Sequence, residues 1–277
     1  NILVDFNGCQ TSINIHFFKG GTDLSKIVAI VNQKGGVGKT TTAVNLTAGL
    51  GIKGKKILIV DVDPQGNTTS GFGINKKEVI YSSYNLITGD KPAEEIIKKT
   101  EFKGVDVIPS AMDLAGAEIE LSTAENRETK LKNALASVRE NYDYIFLDCP
   151  PSLGLITLNA LVATDTFLVP IQCEYFALEG LSQLMSTMRQ VKRIYNPTLE
   201  IEGVLLTMYD GRLNLTQQVV NEIKKFFGKK LYNTVITRSV RLSEAPSFGL
   251  PIQYYDRRSK GSDCYNDLAA EFIKRNK

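Results

Sequence analysis

The sequence predicts one α/β domain, residues 26–277, built on a mostly parallel twisted sheet with helices on both faces. Short β-branched runs alternate with amphipathic segments from Lys26 onward, and no Pro-, Ser- or Gly-rich linker interrupts them. The runs are apolar at nearly every position, as expected for strands buried on both faces. Such sheets bind ligands at the carboxyl ends of their strands.

Six strands and six helices are expected in order. The strands are predicted at residues 27–31, 57–60, 105–108, 144–147, 166–169 and 201–206. The helices are predicted at residues 40–50, 91–99, 127–140, 178–195, 214–227 and 262–275. The last helix has one apolar stripe and is expected to close the domain over its core; the stripe comprises Tyr265, Leu268, Ala269 and Phe272.

Composition narrows the class of protein. The chain has 277 residues, of which 43% are hydrophobic and 23% charged, as in ordinary globular proteins. No apolar run is long enough to span a bilayer, so no membrane partner is expected. The four cysteines are far apart and form no C-x-x-C pair, which favours a reducing, cytoplasmic location over a disulfide framework or a zinc ribbon; they are Cys9, Cys149, Cys173 and Cys264.

Basic residues are concentrated in the last third of the chain. Residues 205–277 contain 13 Lys and Arg against 7 Asp and Glu, whereas residues 26–204 contain 19 against 21. A solvated surface and a polyanion-binding face both explain this distribution.

The first 25 residues are predicted to be an extension outside the domain. They begin with Asn and contain His16, the only histidine. The segment Lys19-Gly20-Gly21-Thr22 could be encoded by a ribosome-binding sequence and Leu24 by an alternative start codon, so residues 1–23 are hypothesised to be translated leader. A partly disordered N-terminal arm is the alternative.

A glycine-rich loop follows the first predicted strand. Its glycines allow backbone N–H groups to point at phosphate oxygens, and the next helix adds its positive end. Lys39 would reach the β- and γ-phosphates, and the Thr40 hydroxyl would ligate Mg²⁺. Gln33 replaces the first glycine of the strict P-loop pattern. The sequence therefore predicts a P-loop NTPase with ATP and Mg²⁺ as cofactors, bound by Lys34, Gly35, Gly36, Val37, Gly38, Lys39, Thr40 and Thr41.

Carboxylates follow two other predicted strands. Asp61 and Asp63 come after the second, and Asp148 comes after the fourth. Because these strand ends share one edge of the sheet, Asp61 and Asp148 are expected to hold Mg²⁺, mostly through its waters. Asp63 precedes Pro64, so stabilisation of a turn is the alternative to a catalytic role.

The phosphate loop resembles the deviant Walker A motif, KGGxGK[ST], of the ParA/MinD group of ATPases. In that family the first lysine, here Lys34, crosses a dimer interface to contact the partner's phosphates. Asp63 resembles the family's residue that orients the attacking water. The resemblance implies an ATPase whose hydrolysis depends on dimerisation, with Lys34, Lys39 and Asp63 as its catalytic residues.

Five further segments resemble the short, chromosomal type of ParA, often called Soj, and extend the likeness over residues 26–275. The segments are 61–67, 114–118, 148–154, 172–175 and 242–247. The resemblance implies an ATP-dependent sandwich homodimer that binds double-stranded DNA without sequence preference. It also implies a ParB-type centromere-binding partner that stimulates hydrolysis, and a nucleoid-associated location.

The same resemblance assigns residues to DNA and to the base. Arg212 and Arg241 lie where the family's DNA-contacting arginines are found, with solvated or internally paired arginines as the alternative. Thr237 and Ser239 lie where relatives contact the adenine. The chain has Thr-Arg-Ser here in place of the family's common Pro-Arg-Asn, a departure that affects base contacts and leaves the phosphate chemistry untouched.

Proteins with three other functions share the phosphate loop or the fold and are the alternatives to a partitioning ATPase. A MinD-like membrane-cycling regulator of the division site needs an amphipathic tail beyond the domain, whereas the last predicted helix directs its apolar stripe to the core. An iron–sulfur reductase needs paired cluster cysteines, and neither Cys149 nor Cys173 has that spacing. A small-molecule synthetase would leave the basic last third unexplained.

Overall fold

The structure is a computed structural model and describes residues 25–174 and 177–277. The hypothesis of a translated leader over residues 1–23 therefore lies outside the described residues. Within the described ranges, no helix is both long and apolar enough to cross a bilayer.

The described residues form one seven-stranded sheet. Its strands are β1 (Lys26–Ile30), β2 (Ile57–Asp61), β3 (Lys98–Lys99), β4 (Val105–Ile108), β5 (Tyr144–Asp148), β6 (Thr166–Gln172) and β7 (Glu200–Thr207). Their order across the sheet is β3-β4-β2-β5-β1-β6-β7. Every neighbouring pair is parallel except β3 and β4, which are antiparallel. The mostly parallel sheet is confirmed.

Twelve α-helices accompany these strands in the described ranges. They are α1 (Lys39–Ile52), α2 (Asn67–Gly71), α3 (Ser83–Thr88), α4 (Ala93–Ile96), α5 (Leu114–Glu120), α6 (Lys130–Leu135), α7 (Leu155–Ala163), α8 (Ala177–Ile194), α9 (Asn214–Phe227), α10 (Val240–Glu244), α11 (Ile252–Tyr255) and α12 (Lys260–Arg275).

Two apolar cores lie on opposite faces of the sheet. Alternate residues of β1 belong to different cores, because successive strand side chains point to opposite faces. Val28 packs in the core that contains α1 and α12, and Ile27 packs in the core that contains α5 to α9. Helices on both faces of the sheet are thereby confirmed.

The apolar stripe of α12 is buried, as predicted, with Phe272 fully covered. It packs against α1, the helix that follows the phosphate loop. A Cβ built on Gly49 of α1 would lie 3.1 Å from the Cβ of Ala269, so the two helices approach closely at this point. The Thr42 hydroxyl also lies 3.2 Å from the Tyr265 hydroxyl. These contacts fix the start of α1, and with it the phosphate loop, against the C-terminal helix.

Two predicted helices are wrong in extent. Residues 91–99 contain only the four-residue α4, and the chain then becomes the edge strand β3. There the Lys99 ammonium donates to Asp106 across the strand pair, at 2.6 Å, and this pairing with the neighbouring strand is not visible in a helical periodicity. The predicted helix at residues 127–140 shrinks to α6 and a separate turn at Arg139–Asn141.

Candidate functional site

The loop between β1 and α1 has the shape of a phosphate cradle. Gly36 and Gly38 have φ of 71° and 86°, in the left-handed region that disfavours other residues. A Cβ built on Gly35 or Gly36 would meet nothing within 4 Å. The space over these glycines is therefore open, as a bound phosphate chain requires.

Lys39 lies inside this loop. Its side chain is buried, and its ammonium donates to the backbone oxygen of Lys34 at 3.0 Å. Burial lowers the pKa of Lys39, against the opposing effect of Asp148. On the far side of the loop, the Thr207 hydroxyl donates to the oxygen of Val37 at 2.8 Å and ties the loop to the end of β7. The predicted phosphate lysine is therefore enclosed by its own loop.

Lys34 lies on the outside of the same loop. Its ammonium forms an ion pair with Glu174, which follows β6. Its backbone N–H donates to Asn32 Oδ1 at 3.0 Å, and the Asn32 amide donates to Pro170 O at 2.8 Å. Asn32 belongs to the segment that leads into the predicted loop, and Glu174 belongs to the family segment 172–175, but the sequence predicted no role for either residue.

The Asp148 carboxylate is buried at the end of β5. Its Oδ2 accepts hydrogen bonds from the hydroxyls of Thr40, at 2.8 Å, and Thr68, at 2.7 Å. Its Oδ1 is buried without a hydrogen-bond partner among the described residues. Burial raises the pKa of Asp148. An unpartnered carboxylate oxygen beside the Thr40 hydroxyl fits a hydrated Mg²⁺. Thr68 has no sequence signal of its own.

Asp61 lies beside Asp148, because β2 and β5 pair these two residues in register. Both of its oxygens already accept hydrogen bonds: Oδ2 from the Thr69 N–H and hydroxyl, at 2.8 and 2.7 Å, and Oδ1 from the Asp63 N–H, at 3.2 Å. Burial, followed by the charge of Asp148, raises the pKa of Asp61. Asp61 holds the loop after β2 in place, and its part in Mg²⁺ binding stays a prediction.

Asp63 stabilises the turn that follows β2. Its Oδ1 accepts from the Gln65 N–H at 2.9 Å, and its backbone oxygen accepts from the Gly66 N–H at 2.9 Å. The turn-stabilising alternative is thus observed, and a role in orienting water stays a prediction. No cluster of three or more His, Cys, Asp and Glu suited to a metal occurs in residues 25–174 and 177–277.

A cavity of about 560 Å³ opens next to the loop. Gly38 and Thr41 line it, and so do Thr237 and Ser239, the two residues predicted to lie near the base. Met208 also lines it, with φ of 48°, a left-handed conformation that is unusual for a non-glycine residue and costs energy to hold. The structure brings the predicted phosphate and base residues to one cavity, and Met208 is a wall residue that the sequence did not predict.

The two predicted DNA-contacting arginines are internally paired. Arg212 has 89% of its side chain exposed and pairs with Asp210 at 2.6 Å. Arg241 pairs with Glu244 at 2.9 Å and lies 3.4 Å from Asp256. Exposed ion pairs of this kind are weak and can be displaced by a ligand, so DNA contact at both arginines stays a prediction.

Comparison with known proteins identifies the family. The AAA domain family model matches residues 25–201. The sporulation initiation inhibitor protein Soj of Bacillus subtilis is 58% identical over 248 residues, which cover 90% of this chain and 98% of that protein. The chromosome partitioning protein ParA of Myxococcus xanthus is 50% identical over 257 residues, which cover 93% and 91%. The chain belongs to the ParA/Soj family of chromosome-partitioning ATPases. The predicted family, P-loop fold and ATPase activity are confirmed.

Solved structures of related ATP-binding proteins share the fold of this ParA/Soj protein. The cobyrinic acid a,c-diamide synthase of Mycobacterium smegmatis, solved with an ATP analog and magnesium, has a TM-score of 0.79 at 33% identity and covers 91% of this chain and 95% of its own. The cell division ATPase MinD of Pyrococcus furiosus has a TM-score of 0.76 at 26% identity, with 91% and 99% covered. Both identities are well below the 58% shared with Soj, so the partitioning family is favoured over the synthetase and MinD readings.

Proposed function

We propose that this partitioning ATPase binds Mg²⁺ and ATP, closes as a sandwich homodimer on double-stranded DNA, and is released when a ParB-type partner stimulates hydrolysis. The observation that carries the proposal is that the two lysines of the phosphate loop lie in different environments. One lysine, Lys39, is buried inside it, while the other, Lys34, is held outside it by an exposed carboxylate.

Nucleotide binding follows from the loop's own groups. The N–H groups around Gly35 and Gly36 and the ammonium of Lys39 bind the β- and γ-phosphates. Thr40 and Asp148 would hold the cation, since the Thr40 hydroxyl bonds one oxygen of Asp148 and the other oxygen of that carboxylate has no hydrogen-bond partner among the described residues. Mg²⁺, when bound, neutralises charge on the transferred phosphoryl group. The base lies in the cavity lined by Thr237 and Ser239.

Hydrolysis requires a second copy of the chain. Lys34 extends from the loop with 46% of its side chain exposed, so it is accessible to a partner's nucleotide. An added cation in a closed, desolvated site stabilises charge that develops on the phosphoryl group. Asp63 orients the attacking water from the turn after β2. By family resemblance, this arrangement makes ATPase activity slow until dimerisation and partner binding complete the site.

DNA binding uses the basic last third of the chain. Arg212 and Arg241 are exposed there and bind backbone phosphates, which needs charge neutralisation and no reading of bases. Dimerisation presents two such faces at once, so affinity becomes dependent on ATP. This binding places the protein on the nucleoid.

The MinD-like alternative predicts a membrane in place of DNA. The test is gel retardation of arbitrary duplex DNA beside sedimentation with anionic liposomes, with ATP and Mg²⁺ in both and Asp63→Ala used to slow turnover. We expect retardation without co-sedimentation, and Lys39→Ala as control should abolish retardation. Liposome binding without retardation at low salt would overturn the proposal. A protein that stays monomeric with a non-hydrolysable ATP analogue and Mg²⁺ would overturn the sandwich dimer.

A further inference from the structure

A second cavity, of about 550 Å³, lies next to the nucleotide cavity at the end of β7. We call it the cationic hollow. Among the described residues that line it, three are cations, Arg212, Arg238 and Lys260, and one is a carboxylate, Asp210. Arg238 and Lys260 are exposed and form no ion pair with a described residue. The hollow therefore has an excess of positive charge that its own carboxylate does not balance.

Asp210 supplies the carboxylate of this hollow and binds the guanidinium of Arg212. Its two oxygens accept from Arg212 Nε at 2.9 Å and from a terminal guanidinium nitrogen at 2.6 Å. The backbone N–H of Arg212 donates to the same carboxylate at 3.1 Å. These bonds to Arg212, with a smaller effect of Arg238, lower the pKa of Asp210 to about 2. The same two-nitrogen fork matches the paired oxygens of a phosphodiester.

The hollow shares a wall with the nucleotide cavity. Thr237 and Arg238 line both. The backbone that carries the wall is tied to β7, since the Tyr209 N–H donates to Ile236 O at 2.9 Å and the Ile236 N–H donates to Leu206 O at 2.8 Å. A ligand in either cavity therefore contacts the same short segment, which joins the predicted base site to the predicted DNA face.

We propose that Arg212, Arg238 and Lys260 form a subsite for one backbone phosphate of duplex DNA, and that this phosphate displaces the Asp210 carboxylate from Arg212. The inference rests on the proposed DNA binding and adds to it two phosphate-binding cations and an internal competitor. Lys260 is the first residue of the sixteen-residue α12, so the positive end of that helix adds to the attraction. Asp210 keeps Arg212 neutralised until DNA arrives and so limits binding of the free protein to other polyanions.

The first test is Asp210→Asn in the full-length chain, loaded with a non-hydrolysable ATP analogue and Mg²⁺. Affinity for an arbitrary 30-base-pair duplex at fixed salt should rise by about two- to fivefold, because Arg212 no longer has to break an exposed ion pair before it binds a phosphate. The matched control is Glu95→Gln, which removes the same charge from an exposed pair with Lys91, at 2.8 Å, near the opposite edge of the sheet. Equal affinities of the two variants would overturn the inference.

The second test is Lys260→Ala. Its plot of log affinity against log salt should be shallower by about one unit, as expected when one phosphate contact is lost. Lys91→Ala is the control and should keep the wild-type slope. Binding of a fluorescent ATP analogue should be unchanged in both variants, which shows that they are folded. If the wild type binds DNA and Lys260→Ala keeps the same slope, the subsite alone is wrong. If the loaded wild type retards no duplex at low salt, the proposed function is wrong as well.

Discussion

The ammonium of Lys34 forms an ion pair with the carboxylate of Glu174, across the gap between the phosphate loop and the end of β6. The two side chains are 46% and 45% exposed, so water and salt weaken the pair. In the proposed sandwich dimer, Lys34 would have to leave Glu174 before it could contact the phosphates bound by the second copy. Glu174 therefore pairs with Lys34 until Lys34 contacts the nucleotide of the second copy, the contact on which hydrolysis is proposed to depend. We call Glu174 the resting partner of Lys34.

Glu174→Gln tests this exchange. Removing the carboxylate should raise the association constant of ATP-dependent dimerisation by about two- to fivefold, since exposed pairs of this kind are worth at most about 1 kcal/mol. Sedimentation velocity with a non-hydrolysable analogue measures the constant. Glu200→Gln breaks a similarly exposed pair with Lys192 and serves as control. A dimerisation constant that is unchanged or lower in Glu174→Gln would contradict the resting-partner role.

Lys39→Ala should abolish tight nucleotide binding and leave the fold intact. The ammonium is buried inside the loop and donates one hydrogen bond, to Lys34 O, among the described residues, so its other two N–H groups are left for phosphate oxygens. We expect affinity for ATP to fall at least about 100-fold, since charge-assisted contacts to phosphate are the strong ones. Calorimetric titration measures the affinity, and thermal unfolding checks the fold. Lys53→Ala, at the exposed end of α1, should bind ATP normally.

The buried Asp148 predicts a pH dependence of stability for the nucleotide-free protein. Burial raises its pKa, so the folded chain holds a proton where the unfolded chain, with a carboxyl pKa near 3.8, has lost it. The free energy of unfolding should therefore fall as pH rises from about 4 towards neutrality, by about 1.4 kcal/mol for each unit of the shift.

Asp148→Asn removes this titration, and urea unfolding at several pH values between 4.5 and 7.5 measures the difference. The variant should lose less stability than the wild type as pH rises. Part of the slope should persist, because burial also raises the pKa of Asp61. Parallel stability curves for the two proteins would show that Asp148 does not contribute. The same variant should lose Mg²⁺-dependent ATPase activity.

The parts of the site that sequence predicts are those set by strand ends. A parallel sheet brings the carboxyl ends of its strands to one edge, so Asp61 and Asp148 could be placed together, and β2 and β5 pair them in register. Short-range pattern also gave the loop around Lys39. The sheet and the long amphipathic helices that flank it were predictable from local sequence patterns in the same way.

The parts that sequence did not predict depend on contacts between distant segments. The pairing of Thr68 with Asp148, and of Glu174 with Lys34, joins residues 80 and 140 positions apart. The left-handed conformation of Met208 has no local signature, because residues other than glycine are rare there. The short helices α2, α3, α5, α7, α10 and α11 have at most nine residues, too few for a clear helical period.

Asp63 has two candidate roles that one pair of substitutions separates. Its Oδ1 accepts from the Gln65 N–H, a bond that an asparagine oxygen can also accept. Orienting and polarising the attacking water requires the carboxylate. Asp63→Asn therefore keeps the turn and removes the charge, whereas Asp63→Ala removes both.

If Asp63 acts on water, both variants should bind ATP and arbitrary duplex DNA normally and should hydrolyse ATP at least about tenfold more slowly in single-turnover assays, as expected on loss of a catalytic base or water-orienting group. If Asp63 only stabilises the turn, Asp63→Asn should hydrolyse ATP at the wild-type rate and Asp63→Ala should be less stable to urea. We expect the first outcome, because Asp63 lies two residues after the end of β2, which pairs with β5 at Asp148, and because its charge acts on the pKa of both Lys39 and Asp148. Phosphate release from the asparagine variant decides between the two roles without depending on the partner protein.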